Sequence, residues 1–113
     1  GCGCCLAWVR HVRQAGYQVE VSDVQDLRAV KRRHGVPEDL YACHTAIIEG
    51  VVIEGHVPAG DIARFLAARP AGAAGLAVPG MPVGSPGMEQ GNQKEAYATI
   101  QIGPGGRLVF ARH

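Results

Sequence analysis

Residues 1–12 read GCGCCLAWVRHV, which sets Cys2, Cys4 and Cys5 immediately ahead of a helical stripe. From Cys5 to Ala15 the apolar positions Cys5, Trp8, Val9 and Val12 recur at i, i+3, i+4 and i+7, the spacing of one helix face. Gly16 supplies a left-handed stop behind them. Cys2 and Cys5 form a CxxC pair at a helix N-terminus, where unpaired N–H groups and the helix dipole stabilise thiolates. Thiolate is both the nucleophile of disulfide exchange and the metal-binding form. This stretch alone therefore leaves a redox pair, a metal site and a disulfide framework all open.

Working outward, YQVEVSDV from Tyr17 alternates Tyr17, Val19 and Val21 against Gln18, Glu20 and Ser22, as a half-buried strand does. Asp23 suits the cap of a second helix, with Asp26 in its first turn, Leu27 and Val30 on its inner face, and Gly35 and Pro37 closing it. TAIIEGVVIEGH gives two short strands, Thr45–Ile48 and Val51–Glu54, around a turn at Glu49-Gly50. Their near-continuous Ile and Val content implies burial on both faces. Pro58 fits the first turn of a third helix whose Ile62, Phe65 and Leu66 face inward, and Pro70 ends it. Residues 71–92, AGAAGLAVPGMPVGSPGMEQGN, form a long Gly/Pro/Met loop, and a loop of that length in a small domain reads as functional. A C-terminal β-hairpin follows, YATIQI and RLVFAR, joined at Gly103-Pro104-Gly105-Gly106.

The order CxxC, helix, strand, helix, strand, strand, helix is that of an α/β, thioredoxin-like fold with a mixed sheet, its first strand absent from this chain. We expect a single metal-binding domain over residues 1–113, with 71–92 as its functional loop. A chain of 113 residues is long enough for its own core, and 47% apolar with 19% charged residues is ordinary globular composition. A net charge of +1 gives no broad field toward nucleic acid or an anionic membrane. The basic clusters Arg10-His11-Arg13 and Lys31-Arg32-Arg33-His34 read as exposed helix faces. No apolar stretch approaches the roughly 20 residues that span a bilayer. No basic and apolar leader opens the chain, which is equally the appearance of a mature exported protein.

Three thiols within one turn make a poor disulfide framework, because one bridge at a time could reach Cys43. In thioredoxin-like oxidoreductases a cis-proline faces the CxxC pair; here that place is held by ACHTA, with Cys43 and His44. A thiol facing an exchange-active pair would capture it, whereas the same thiol facing a metal completes a coordination shell. Soft thiolate and thioether donors select Cu(I) or zinc, with methionine leaning to Cu(I). A tetrahedral zinc site from Cys2, Cys5, Cys43 and His44 is the alternative, and it leaves Cys4 and the methionines unused. Thiolates bridging several cuprous ions would use all four cysteines.

The candidate ligands are Cys2, Cys4, Cys5, Cys43, His44 and Met88; Cys2 and Cys5 become catalytic only if the pair is redox-active, in a thiol–disulfide oxidoreductase or in one that couples thiol redox change to copper. His44 can join its neighbour Cys43 only where the backbone is irregular, since adjacent strand residues face opposite ways. His56 is expected to orient the start of the third helix. His11 and His34 are expected on solvated faces, Trp8 in the core, and Met81 in loop packing or, less strongly than Met88, beside the metal.

These residues resemble those of the CopG-like bacterial copper-resistance proteins. The matching elements are CGCC before a helix with Trp8, VPEDLYACHTAIIEG, VIEGHVPA and GLAVPGMPVGSPGME, which together span residues 2–89. The resemblance implies a thioredoxin-like fold and an exported, periplasmic protein of copper resistance. It also implies that copper is handled through Cys2, Cys4, Cys5 and Cys43, with His44, Met81 and Met88 inside matched segments. Copper ions and other periplasmic copper-handling proteins are the partners it implies, with no nucleic acid and no membrane insertion. Such proteins carry a strand before the cysteine motif and a leader before that.

Overall fold

The computed structural model describes residues 3–19, 27–42 and 44–113, residues 3 and 4 by their backbone only. Helix α1 covers Gly3–Gln14, α2 Leu27–Arg33 and α3 Ala59–Ala68, with a 3-10 turn at Glu38–Leu40. Strands β1 Thr45–Ile48, β2 Val51–Gly55, β3 Gly75–Val78, β4 Ala98–Gly103 and β5 Gly106–Arg112 form one sheet in that order. It is mixed: β2 and β3 are parallel, joined through α3, and the other neighbours are antiparallel.

Of the two strands expected to be buried on both faces, β2 is buried along its whole length, because both faces of the sheet are covered there, whereas the edge strand β1 leaves Ile47 exposed. On one face Val51, Ile53, Leu76 and Val78 meet Trp8, Val9 and Val12 of α1 and Ile62 and Phe65 of α3. On the other, Val52, Ala77 and Ile102 meet Val36 and Leu40 around the 3-10 turn. Tyr17 and Val19 pack against the first cluster, and residues 17–19 form no strand; Glu20, Val21 and Ser22 of the strand expected there, and Asp23 and Asp26, lie outside the described residues.

The stretch 71–92 is not loop throughout: Gly75–Val78 is the buried strand β3, pairing Ile53 with Leu76 and Glu54 with Ala77. A short central parallel strand has no polar alternation to announce it, and Pro79 bounds it. Gly75 opens β3 because a Cβ there would fall 1.8 Å from the Val52 carbonyl oxygen.

The basic run of α2 is likewise not exposed throughout. Lys31 is buried and forms an ion pair with the fully buried Glu54 of β2. Leu27 and Val30, expected to be the inner face, are only half-buried, and Lys31 is the buried residue of α2. Lys31 Nζ also donates to the Ala42 carbonyl (3.2 Å) and to Thr45 Oγ1 (2.9 Å). Glu54 accepts from the Ala42 N–H (2.7 Å) and the Thr45 hydroxyl (2.6 Å). Each charge thus has several partners, which is the condition for tolerating an ion pair in a dry interior.

A second buried acid, Asp61 in the first turn of α3, ties the C-terminal end of the chain to the body. It pairs with Arg64, accepts from the Thr99 hydroxyl (2.6 Å), and lies 2.7 Å from Nε2 of His113, whose ring stacks on Tyr97.

Two substitutions test this architecture. Gly75→Ala forces β2 and β3 apart and should lower unfolding free energy by about 3 kcal/mol, at the upper end of overpacking costs. Lys31→Met strands the Glu54 carboxylate and should cost about 3–5 kcal/mol. Urea unfolding curves read both; parental midpoints for either variant would contradict the packing described.

Candidate metal centre

Helix α1 begins at Gly3, two residues before the sequence periodicity suggested, so Cys4 and Cys5 stand in its first turn. The half-buried Cys5 therefore lies among the unpaired N–H groups that favour a thiolate. Trp8 follows one turn later on the same side of the helix and is fully buried, its indole N–H donating to the Val57 carbonyl at 2.8 Å. Its ring lies 4.6 Å from the imidazole of His44, and His44 in turn lies 5.2 Å from His56, nearly edge-on. The cysteine-bearing helix, the segment entering β1 and the end of β2 thus meet through three rings.

His44 is placed by its backbone as well, its carbonyl accepting the Gly55 N–H at 3.0 Å. Gly55 makes this approach feasible: with φ +79°, it has no side chain to collide with Ala42 Cβ and the Val78 carbonyl, which a Cβ would meet at 2.7 and 2.4 Å. Burial, followed by the charges of His56 and Lys31, pushes the His44 pKa down from 6.5 to about 4. Its imidazole is accordingly neutral near pH 7, the form that binds metal without first losing a proton.

His56 is fully buried and donates from Nδ1 to the Pro86 carbonyl at 2.6 Å. It fastens the Gly/Pro loop to the site rather than orienting α3 as expected. That loop folds on itself: Met88 N–H donates to the Ser85 carbonyl, the Met88 carbonyl accepts from Gly84 N–H, and the buried Ser85 hydroxyl donates to the Pro82 carbonyl. Met88 is half-buried in this turn, while Met81 is 47% exposed in a cleft with Tyr97 and Ile100.

The start of α3 is served instead by His11, which was expected on a solvated face. Pro58 has no side-chain cap to offer, and His11 Nε2 accepts the Ala59 N–H at 3.0 Å. Burial lowers the His11 pKa against the opposing pull of Glu89, which favours the neutral acceptor form this bond requires.

Cys2 and Cys43 lie outside the described residues, and Cys4 is known by its backbone alone. Among the described residues no three His, Cys, Asp or Glu side chains converge on a metal position. Of the six expected ligands, the structure describes Cys5, His44 and Met88 with their side chains. What sequence reasoning missed is the support: the ring contact of Trp8 with His44, the Pro86 latch on His56, and the Lys31–Glu54 pair. The last had a signal, since an acid inside a strand apolar on both faces requires a buried cation.

The His44 shift has a sign that unfolding can read in metal-free protein. Between pH 6.5 and 4 the unfolded chain takes up a proton that folded His44 refuses. Stability is therefore full above pH 6.5 and falls as the pH drops to about 4, by on the order of 3 kcal/mol for this group. Chemical denaturation at pH 7 and pH 4.5 should show this loss, and His44→Phe should flatten it. An equal slope in the variant would contradict a neutral, buried imidazole.

Among the described residues no helix is long and apolar enough to cross a membrane. No curated protein matches the chain. A family model described as a protein of unknown function, DUF411, matches residues 40–88, from the end of the 3-10 turn through Met88. Two solved structures named copper resistance protein CopG, forms 1 and 2, are similar to it at 44% identity. Each comparison covers 100% of this chain and 90% of that one, with TM-scores of 0.92 for form 2 and 0.93 for form 1. Likeness of this extent, over strands, helices and the cysteine-bearing turn together, places the chain in the CopG copper resistance protein family.

Proposed function

We propose that this chain is a periplasmic copper-resistance protein that binds Cu(I) through the thiolates of Cys2, Cys4, Cys5 and Cys43. His44 and Met88 stand as further donors, and bridging thiolates accommodate more than one ion. The copper resistance named in its structural relatives supports the metal. The observation that carries the site is His44: a neutral imidazole packed on the Trp8 side of the helix whose first turn holds Cys4 and Cys5. Cuprous ion takes two or three soft donors, and thiolates at a helix N-terminus are available without strong proton competition. On this reading the 84–88 turn, latched to His56, is the loop that limits access of water and oxygen. The assigned roles are then plain: cysteines hold the metal, His44 lends nitrogen or shields, and the loop closes the site.

Cys43→Ser should cost more Cu(I) affinity than the about 100-fold typical of losing an outer partner, while circular dichroism and unfolding stay parental. Anaerobic competition with bicinchoninate measures the affinity, and native mass spectrometry counts the ions. Unchanged affinity removes Cys43 from the site, and a firm stoichiometry of one refutes bridging. Rapid disulfide turnover by metal-free protein, slowed by copper, would instead assign the Cys2/Cys5 pair to thiol–disulfide exchange.

A further inference from the structure

Burying an ion pair is an expensive way to join a helix to a sheet, because apolar residues of similar volume do so at no desolvation cost. The bonds of Lys31 and Glu54 show what else this pair does. Together they take both backbone polar groups of Ala42, the carbonyl through Lys31 and the N–H through Glu54. Together they also hold the Thr45 hydroxyl, Lys31 donating to it and Glu54 accepting from it. Residues 42 and 45 are the immediate flanks of the Cys43–His44 dipeptide. Between them, the His44 carbonyl is taken by Gly55, the residue after Glu54. The Tyr41 ring, 5.3 Å from Lys31 Nζ, covers the ammonium from the same segment. Among the described residues, the polar and ring contacts that these two side chains make beyond their own ion pair thus fall on residues 41–45.

We propose that the buried Lys31–Glu54 pair is a positioning device for the segment entering β1, holding residues 42 and 45 on either side of the Cys43–His44 dipeptide that the copper-binding reading assigns as donors. The proposal rests on the copper-binding reading above and adds two residues that never touch the metal. Lys31 and Glu54 act through backbone hydrogen bonds at 42 and through Thr45, so they are positioning residues rather than ligands. A pair serving only as glue would be replaceable without consequence at position 43.

The test uses Lys31→Met/Glu54→Gln, which removes both charges and leaves an amide carbonyl oxygen at position 54 able to accept the Ala42 N–H. A second variant, Thr45→Val, keeps the ion pair and the strand but removes one flank of the clamp. Two readouts are taken: Cu(I) affinity by anaerobic competition with bicinchoninate, and iodoacetamide alkylation rates at each cysteine in reduced, metal-free protein by peptide mass spectrometry. The double variant is expected to unfold cooperatively, to bind Cu(I) about tenfold more weakly or worse, and to change the Cys43-to-Cys5 alkylation ratio severalfold. Thr45→Val should move that ratio in the same direction and decides the matter if the double variant does not fold. Folded variants with the parental ratio and parental affinity overturn the proposal. If the parental protein itself takes up no Cu(I), the copper-binding reading falls, and the alkylation ratio still decides whether the pair positions residue 43.

Discussion

Strands β2 and β3 are covered on both faces, and the rest of the molecule answers to that constraint. A polar group that enters such a layer loses water on every side and must find its partners in the protein. Glu54 finds Lys31, Ala42 and Thr45; His56 finds the Pro86 carbonyl; the Trp8 indole finds the Val57 carbonyl. These pairings lie at the carboxyl end of β2, where the segment entering β1, the start of α1 and the 84–88 turn converge. The dry sheet therefore organises the neighbourhood of the site: each buried polar atom there recruits a piece of backbone and fixes it.

Helix ends add a second set of obligations. The N-terminus of α3 carries orphan N–H groups, and Pro58 has no side chain to cap them. His11 of α1 accepts one of them, so α1 is fixed to α3 by a polar contact as well as by Trp8 and Val12 in the shared core. Glu89 lies close enough to act on the His11 charge, which brings the Gly/Pro loop to the same corner. The cysteine turn opens a helix whose C-terminal half is thus held from two directions.

The sequence displayed the elements whose burial leaves a period. The stripes of α1 and α3 show apolar spacing that survives folding, and the turn residues at Glu49-Gly50 and Gly103–Gly106 mark the two hairpins. Strand β3 carries no such mark, because four residues buried on both faces have neither alternation nor length, and the Gly and Pro around them read as loop. Lys31 was hidden for a related reason: it sits in a run of basic residues, and its partner is 23 positions away in another element. The exchange of roles between His11 and His56 shows the same limit, since a histidine's task depends on which distant backbone group it meets. The start of α1 beside the cysteines was legible to within two residues, because it follows from local pattern. The support behind it comes from contacts between residues remote in sequence.

The charges around the proposed site bear on whether several thiolates could share it. The start of α1 offers about half a positive charge. Lys31 adds little net charge, because Glu54 cancels it at close range. His44 is kept neutral chiefly by burial, so it offers a lone pair and no cation. A cluster of ionised cysteines would therefore be only partly compensated by the protein alone. On the proposed reading, cuprous ions supply the missing positive charge, and each bridging thiolate divides its charge between two of them. On the same reading His44 is suited to join them, because its nitrogen arrives without a proton of its own.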